Sequence, residues 1–214
     1  YIKSSEVPAP IENIQMEASA KSAGGDLVNS SVDIKTFKMT FEGSPIEARL
    51  HLENFENYTY DAALKGKLDL GKIMKIFPQE GMELSGILVT DIQTKGQMSD
   101  IEAENYAALP TSGSIQVVNL SFRSEDLPQG MGISTADFQF NPQEARLNNY
   151  NGTLGKSDMK MSGAFQNYLG YALNDQTLSG NLQFNSNTFD LNEWMTEEEE
   201  EENAEGESSS EEEL

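Results

Sequence analysis

Apolar and polar residues alternate with a period of two through much of this chain. Ile46, Ala48, Leu50 and Leu52 interleave with Glu47, Arg49 and His51. The same beat runs through Leu64-x-Gly66-x-Leu68-x-Leu70, Ile115-x-Val117, Phe138-x-Phe140 and Leu178-x-Gly180-x-Leu182-x-Phe184. Phe37-x-Met39-x-Phe41 and Met159-x-Met161 share it. Successive side chains of a strand point to opposite faces, so each run predicts a strand with one apolar and one polar face. That is the pattern of an antiparallel sheet wetted on one side. Turn-forming clusters separate the runs: Glu42-Gly43-Ser44-Pro45, Leu127-Pro128-Gln129-Gly130, Asn141-Pro142 and Asn151-Gly152. The expected fold is mainly β: an elongated, curved, trough-like antiparallel sheet of repeated strand units with two short helices.

The helices are read from a change of period. Ile73, Met74, Ile76 and Phe77 stand at helical spacing and the run stops at Pro78. In Asp100–Pro110, Ser99 or Asp100 supplies an N-cap, acidic residues fill the first turn and Pro110 follows the end. A sheet apolar on one face needs something against it, so the apolar sides of both helices are expected to plug that face.

A repeated element, apolar-x-Gly-x-apolar, recurs around Gly66, Gly86 and Gly180, with a looser copy at Gly113. Phe-x-Asn-Tyr precedes the first and last copies, as Phe55–Tyr58 and Phe165–Tyr168. Glycine weakens a strand, so its recurrence at one phase predicts bends or close backbone approaches within two related β-units.

Residues 1–13, with Pro8 and Pro10, read as an extended lead-in, and 14–195 as the β-repeat body. Residues 196–214 are an acidic low-complexity stretch, expected to be a disordered tail or linker because nothing apolar offsets the entropy of ordering it. The start at Tyr1 reads as a segment of a longer protein.

Charge and composition remove whole classes of function. Of 36 acidic residues, 11 lie in 197–214, which leaves 25 acidic against 14 basic side chains before that point. Without a basic stripe, nucleic-acid binding is not expected. The absence of Cys removes disulfides, thiolate metal sites and a cysteine nucleophile. His51, the single imidazole, falls on the polar phase of its strand, and no G-x-S-x-G elbow presents a serine to it. Asn148–Gly152 lacks the carboxylate spacing of a calcium loop. No enzyme activity, metal or cofactor is expected.

The apolar inventory carries more. Phe37, Met39, Phe41, Leu50, Leu52, Leu68, Leu70, Val117, Phe138, Phe140, Phe165, Leu182 and Phe184 are expected to share one face. That face is either a conventional core under the helices or, in part, a groove for an acyl chain, each methylene of which gains about 0.8 kcal/mol on leaving water. A second functional reading is a periplasmic or surface module that recognises protein or glycan through exposed aromatics, with Tyr58, Tyr60, Tyr106, Tyr150, Tyr168 and Tyr171 gathered in one cleft.

The order Leu68-Asp-Leu-Gly-Lys-Ile-Met-Lys-Ile-Phe-Pro78, Met82-Glu-Leu-Ser-Gly86 and Gly96-Gln-Met-Ser-Asp-Ile-Glu-Ala103 resembles the AsmA-like C-terminal region of large envelope proteins. So do Leu127-Pro-Gln-Gly130, Leu178–Phe184 and Phe189-Asp-Leu-Asn-Glu-Trp194. The resemblance covers most of 14–195 and rests on strands and glycines, with no catalytic motif to carry over. It implies a periplasmic segment of a protein anchored in the inner membrane and involved in outer-membrane biogenesis. Relatives of the TamB type imply a β-sheet trough that binds or conducts lipid. The implied partners are phospholipid or another acyl-chain lipid and other segments of the same parent protein.

Overall fold

The alternating runs become ten strands in the computed structural model, which describes residues 11–106 and 109–193. The strands are β1 (Ile11–Ala23), β2 (Asp26–Phe41), β3 (Ser44–Glu53), β4 (Thr59–Asp69), β5 (Met82–Gln97), β6 (Ser112–Ser124), β7 (Met131–Phe140), β8 (Glu144–Leu154), β9 (Ser157–Gln166) and β10 (Ser179–Asn185). They form one open antiparallel sheet in chain order, each strand paired with the next. With neighbours about 4.8 Å apart, ten strands extend about 43 Å across the sheet. β1 begins at Ile11, inside the stretch read as a lead-in; the rest of that stretch and the acidic tail lie outside the described residues.

Three short helices interrupt the meander where two were expected. α1 (Leu70–Ile76) starts because Asp69 closes β4 and accepts a hydrogen bond from the Lys72 backbone N–H at 3.1 Å. It ends at Phe77, before Pro78. α2 (Met98–Glu102) is shorter than the sequence pattern predicts. Its cap comes from a distance: the Asn57 side chain accepts from the Ser99 N–H at 3.0 Å. α3 (Tyr168–Asn174) breaks no alternating run and has no capping side chain, so little in the sequence announces it. A single 3₁₀ turn (Leu191–Glu193) closes the described chain.

The expected plugging by helices is half right. α1 leans on the polar phase of β5, where a Cβ on Gly71 would sit 3.5 Å from that of Ser85. It therefore leaves the apolar face uncovered. After α2, however, Leu109 turns down onto that face beside Gly96 and Tyr60, and Tyr106 and Leu109 are both buried.

The sheet coils where its ladders slip. β3–β4 and β4–β5 pair without interruption. Register shifts occur three times in β1–β2, in β2–β3 between Ile34 and Phe37, in β5–β6 between Ser85 and Ile87, twice in β7–β8, and in β8–β9 between Leu147 and Tyr150. Such bulges bend a strand and increase its twist. Gly86 marks the one in β5–β6: at φ +122 its backbone lies so close to β6 that a Cβ would sit 2.6 Å from the Leu120 Cα. Gly180 makes a similar close approach to β9, whereas Gly66 meets only ordinary contacts from 3.4 Å. The repeated glycine thus has different duties in different copies.

Candidate functional site

Cross-strand register gathers the predicted apolar positions onto one surface. One row runs the full width of the sheet: Met16, Phe37, Ala48, Leu64, Ile92, Gly113, Phe140, Ala145, Phe165 and Gly180. Every member is apolar or glycine. A parallel row passes through Met39, Ile46, Gly66, Thr90, Ile115, Phe138, Leu147, Gly163 and Leu182. A third joins Leu68, Leu88, Val117, Ala136, Tyr150, Met161 and Phe184. Leu50, Leu52 and Phe41 belong to the same face through Ile34, Val32 and Ile11. Twelve of the thirteen predicted residues are therefore brought together. The exception is Leu70, which opens α1 and leaves the strand phase because the Asp69 cap turns the chain there.

The sequence reading passed over half of this face. Met16, Ala18, Ala20, Val32 and Ile34 in β1 and β2, and Leu120, Ile133, Ala136, Leu147 and Tyr150 further on, complete it. Met16, Ala18 and Ala20 keep the beat in small or single apolar residues, whereas further on it skips at each bulge: Val117 to Leu120, Ile133 to Ala136 and Leu147 to Tyr150 are steps of three.

The apolar face is concave. Along β3, Ile46, Ala48, Leu50 and Leu52 are half-buried while Glu47, Arg49 and Glu53 are exposed, although no second sheet covers either side. Cross-strand neighbours on that side shelter one another, as the inner face of a curved, trough-like sheet does. The degree of closure differs along the sheet. From β7 to β9 the face folds into a core of Ala136, Leu147, Tyr150, Leu154 and Met159, packed by Val117, Leu127, Phe138, Met161 and Phe165 among others. Burial of Tyr150 raises the pKa of its phenol. From β1 to β5 the face is open: Leu64 is 42% exposed at its middle and Met16 is 63% exposed at its edge. Thr90, the one hydroxyl in its row, is buried with no hydrogen-bond partner between the two regions.

The opposite face carries the charge. Lys38–Glu47 (3.2 Å), Arg49–Asp61 (2.6 Å) and Lys65–Asp91 (2.8 Å) join neighbouring strands across β2–β5. Hydrogen bonding and the charge of Asp91 raise the Lys65 pKa. His51 lies in this layer as its strand phase predicts, with its two ring nitrogens 3.4 Å from Asp33 and 3.5 Å from Glu53. Each pair is exposed and individually weak, but together they oppose any one-residue slip, which would bring these charges into the apolar rows. Among the described residues no cluster of three or more His, Asp or Glu side chains is placed to hold a metal ion.

The tyrosines do not form one cleft. Tyr106 and Tyr150 are buried, Tyr168 packs on Phe140 with ring centroids 6.1 Å apart, and Tyr58 and Tyr171 are exposed on separate connections. No family model, curated protein or solved structure matches this chain.

Proposed function

We propose that the chain is a non-enzymatic, periplasmic segment of an AsmA-like envelope protein that holds lipid acyl chains in its apolar trough. The observation that carries this reading is the concave apolar surface of β1–β5, which stays open beyond its Tyr60–Gly96 end, where Leu109 lies on it. Its strand rows contain no charged side chain. Five strands spaced by about 4.8 Å span about 19 Å. The hydrocarbon of one bilayer leaflet is about 15 Å deep, half of the core thickness, so an acyl chain at its length in a leaflet fits across the open strands. Lying there it would exchange water for contacts with Leu64, Phe37 and Leu50, gaining about 0.8 kcal/mol for each buried methylene. Binding of this kind needs neither a metal nor a titrating group. It also tolerates different headgroups, because the trough grips only the chain.

The test is native mass spectrometry of the full chain purified from an envelope fraction, with lipid extraction alongside. Phospholipid should co-purify at a defined stoichiometry. Leu64→Asp, at an exposed position, should abolish capture while circular dichroism still reports the folded sheet. Gln93→Glu, exposed on the opposite, polar face of β5, should leave capture intact. A folded wild-type chain that carries no lipid and takes none from phosphatidylethanolamine–phosphatidylglycerol vesicles would overturn the proposal.

A further inference from the structure

The two edges of the open sheet are built differently. β1 has 13 residues, carries Glu12, Glu17 and Lys21, and slips register against β2 at three places. Charges and bulges of this kind are how natural sheets discourage edge-to-edge pairing. β10 has none of these devices. Ser-Gly-Asn-Leu-Gln-Phe-Asn contains no charge and no proline, pairs with β9 without a shift, and is exposed at all seven positions. In a chain of net charge −22 a neutral, regular edge is conspicuous.

We infer that β10 is an association edge whose occupant is β10 of a second copy of this chain, paired antiparallel about Leu182. The strand is self-complementary in that register. Leu182 meets its own counterpart on the two-fold axis, and Gly180 meets Phe184. Asn181 faces Gln183 on the polar side, where the two amides can exchange hydrogen bonds. The match continues what the sheet already does. In the row that ends at Gly180, bulky residues stand beside small ones, Phe140 beside Ala145 and Phe165 beside Gly180. Phe184 of the second copy would be the next large residue. An aromatic placed across from a strand glycine fills the space that the glycine leaves. No charged side chain of either β10 faces its counterpart, so pairing here avoids the repulsion that two acidic chains meet elsewhere. The apolar trough would run unbroken from one copy into the other. A seven-residue edge buries less area than a permanent dimer needs, so the association is weak and concentration-dependent.

Analytical ultracentrifugation of the full chain, at about 0.15 M salt to shorten the reach of its net charge, reads the prediction directly. The wild type should move from monomer toward dimer as concentration rises. Leu182→Lys and Leu182→Glu, each placing like charges opposite one another across the axis, should weaken self-association by about tenfold or more. Mixing the two variants should restore a dimer. Leu182 is 51% exposed, so both variants are expected to fold. A wild type that stays monomeric, variants that dimerise as the wild type does, or a mixture that associates no better than its components would each overturn the inference.

Discussion

The same apolar alternation runs through both halves of the sheet, yet β7–β9 close into a core and β1–β5 stay open. Pattern therefore does not decide closure, and neither does regular register: β3–β4 and β4–β5 are unbroken, but β1–β2 slips three times and β2–β3 once, against two slips in β7–β8 and one in β8–β9. Two other features do. The closing half fills its middle with Phe138, Tyr150, Met159 and Met161, where β3 and β4 of the open half place Ala48, Ala62 and Gly66. Its connections reach inward as well. Leu127 packs onto the core from between β6 and β7, and Gln176, after α3, donates to Glu104 at 2.8 Å across the end of the sheet. In the open half β1–β2 and β2–β3 are joined by tight glycine turns, and α1 sits on the polar surface. A sheet whose middle is filled and whose connections fold over it makes its own second layer, and one without them leaves a groove.

The sharpest test of this contrast is to remove the same side chain from each half. Leu147 is 5% exposed and Leu64 is 42% exposed. Leu147→Ala should cost about 3–4 kcal/mol in urea unfolding, from lost transfer energy and a cavity that the packed core cannot collapse. Leu64→Ala should cost about 1 kcal/mol, because its side chain is already partly in water and leaves no enclosed void. Equal losses would mean that the two halves are closed to the same degree.

Glycine exchange probes the junction between them. Gly86 lies where the sheet passes from regular to bulged ladders, at φ +122 and against β6 backbone. Gly86→Ala should cost about 2–3 kcal/mol from strained φ and overpacking together. Gly66→Ala meets nothing closer than 3.4 Å and should be near neutral. If both substitutions behave alike, the close approach at Gly86 is not what coils the sheet.

Much of this architecture was legible in the sequence, and the residues that were not have identifiable causes. Phe37, Met39, Phe41, Leu50 and Leu52 keep strict alternation, and each falls on the face it predicts. Leu147 and Tyr150 were missed because the intervening Asn148-Asn149 breaks the beat at the bulge. A template of period two sees two unrelated residues there, whereas one that allows a step of three sees a single bent strand. Leu70 misled for the opposite reason: it keeps the beat although the Asp69 cap has already turned the chain into α1. Burial was the least legible property. Nothing local to Leu64 or Leu147 distinguishes them, because one is covered by residues brought from other strands and the other is not.

The smallest expected effect lies at the end of the closed half, where one carboxylate gathers several hydrogen bonds from the segment after β10. Asp158 accepts from the backbone N–H groups of Thr188 (2.7 Å) and Asn187 (2.9 Å) and from the Asn187 side-chain amide (3.0 Å). Phe184 meets Phe189 edge to face beside it. The Thr188 N–H first, then those of Asn187, hold the Asp158 pKa below its ordinary value. A depressed carboxylate stabilises the folded arrangement fully above its unfolded pKa, near 3.9, and loses that contribution as pH falls through the folded value. Below about pH 4, therefore, Asn187 and Thr188 should lose amide protection while Leu147 and Tyr150 keep theirs. Asp158→Ala should release the same two amides at neutral pH with little change in global unfolding. Retained protection at Thr188 in that variant would show that the segment is held by the core itself, through Phe189 and the Asp190 N–H on Ser157 Oγ at 3.0 Å. The closed half would then hold its last segment by ring packing and hydrogen bonds to its own backbone rather than by a carboxylate.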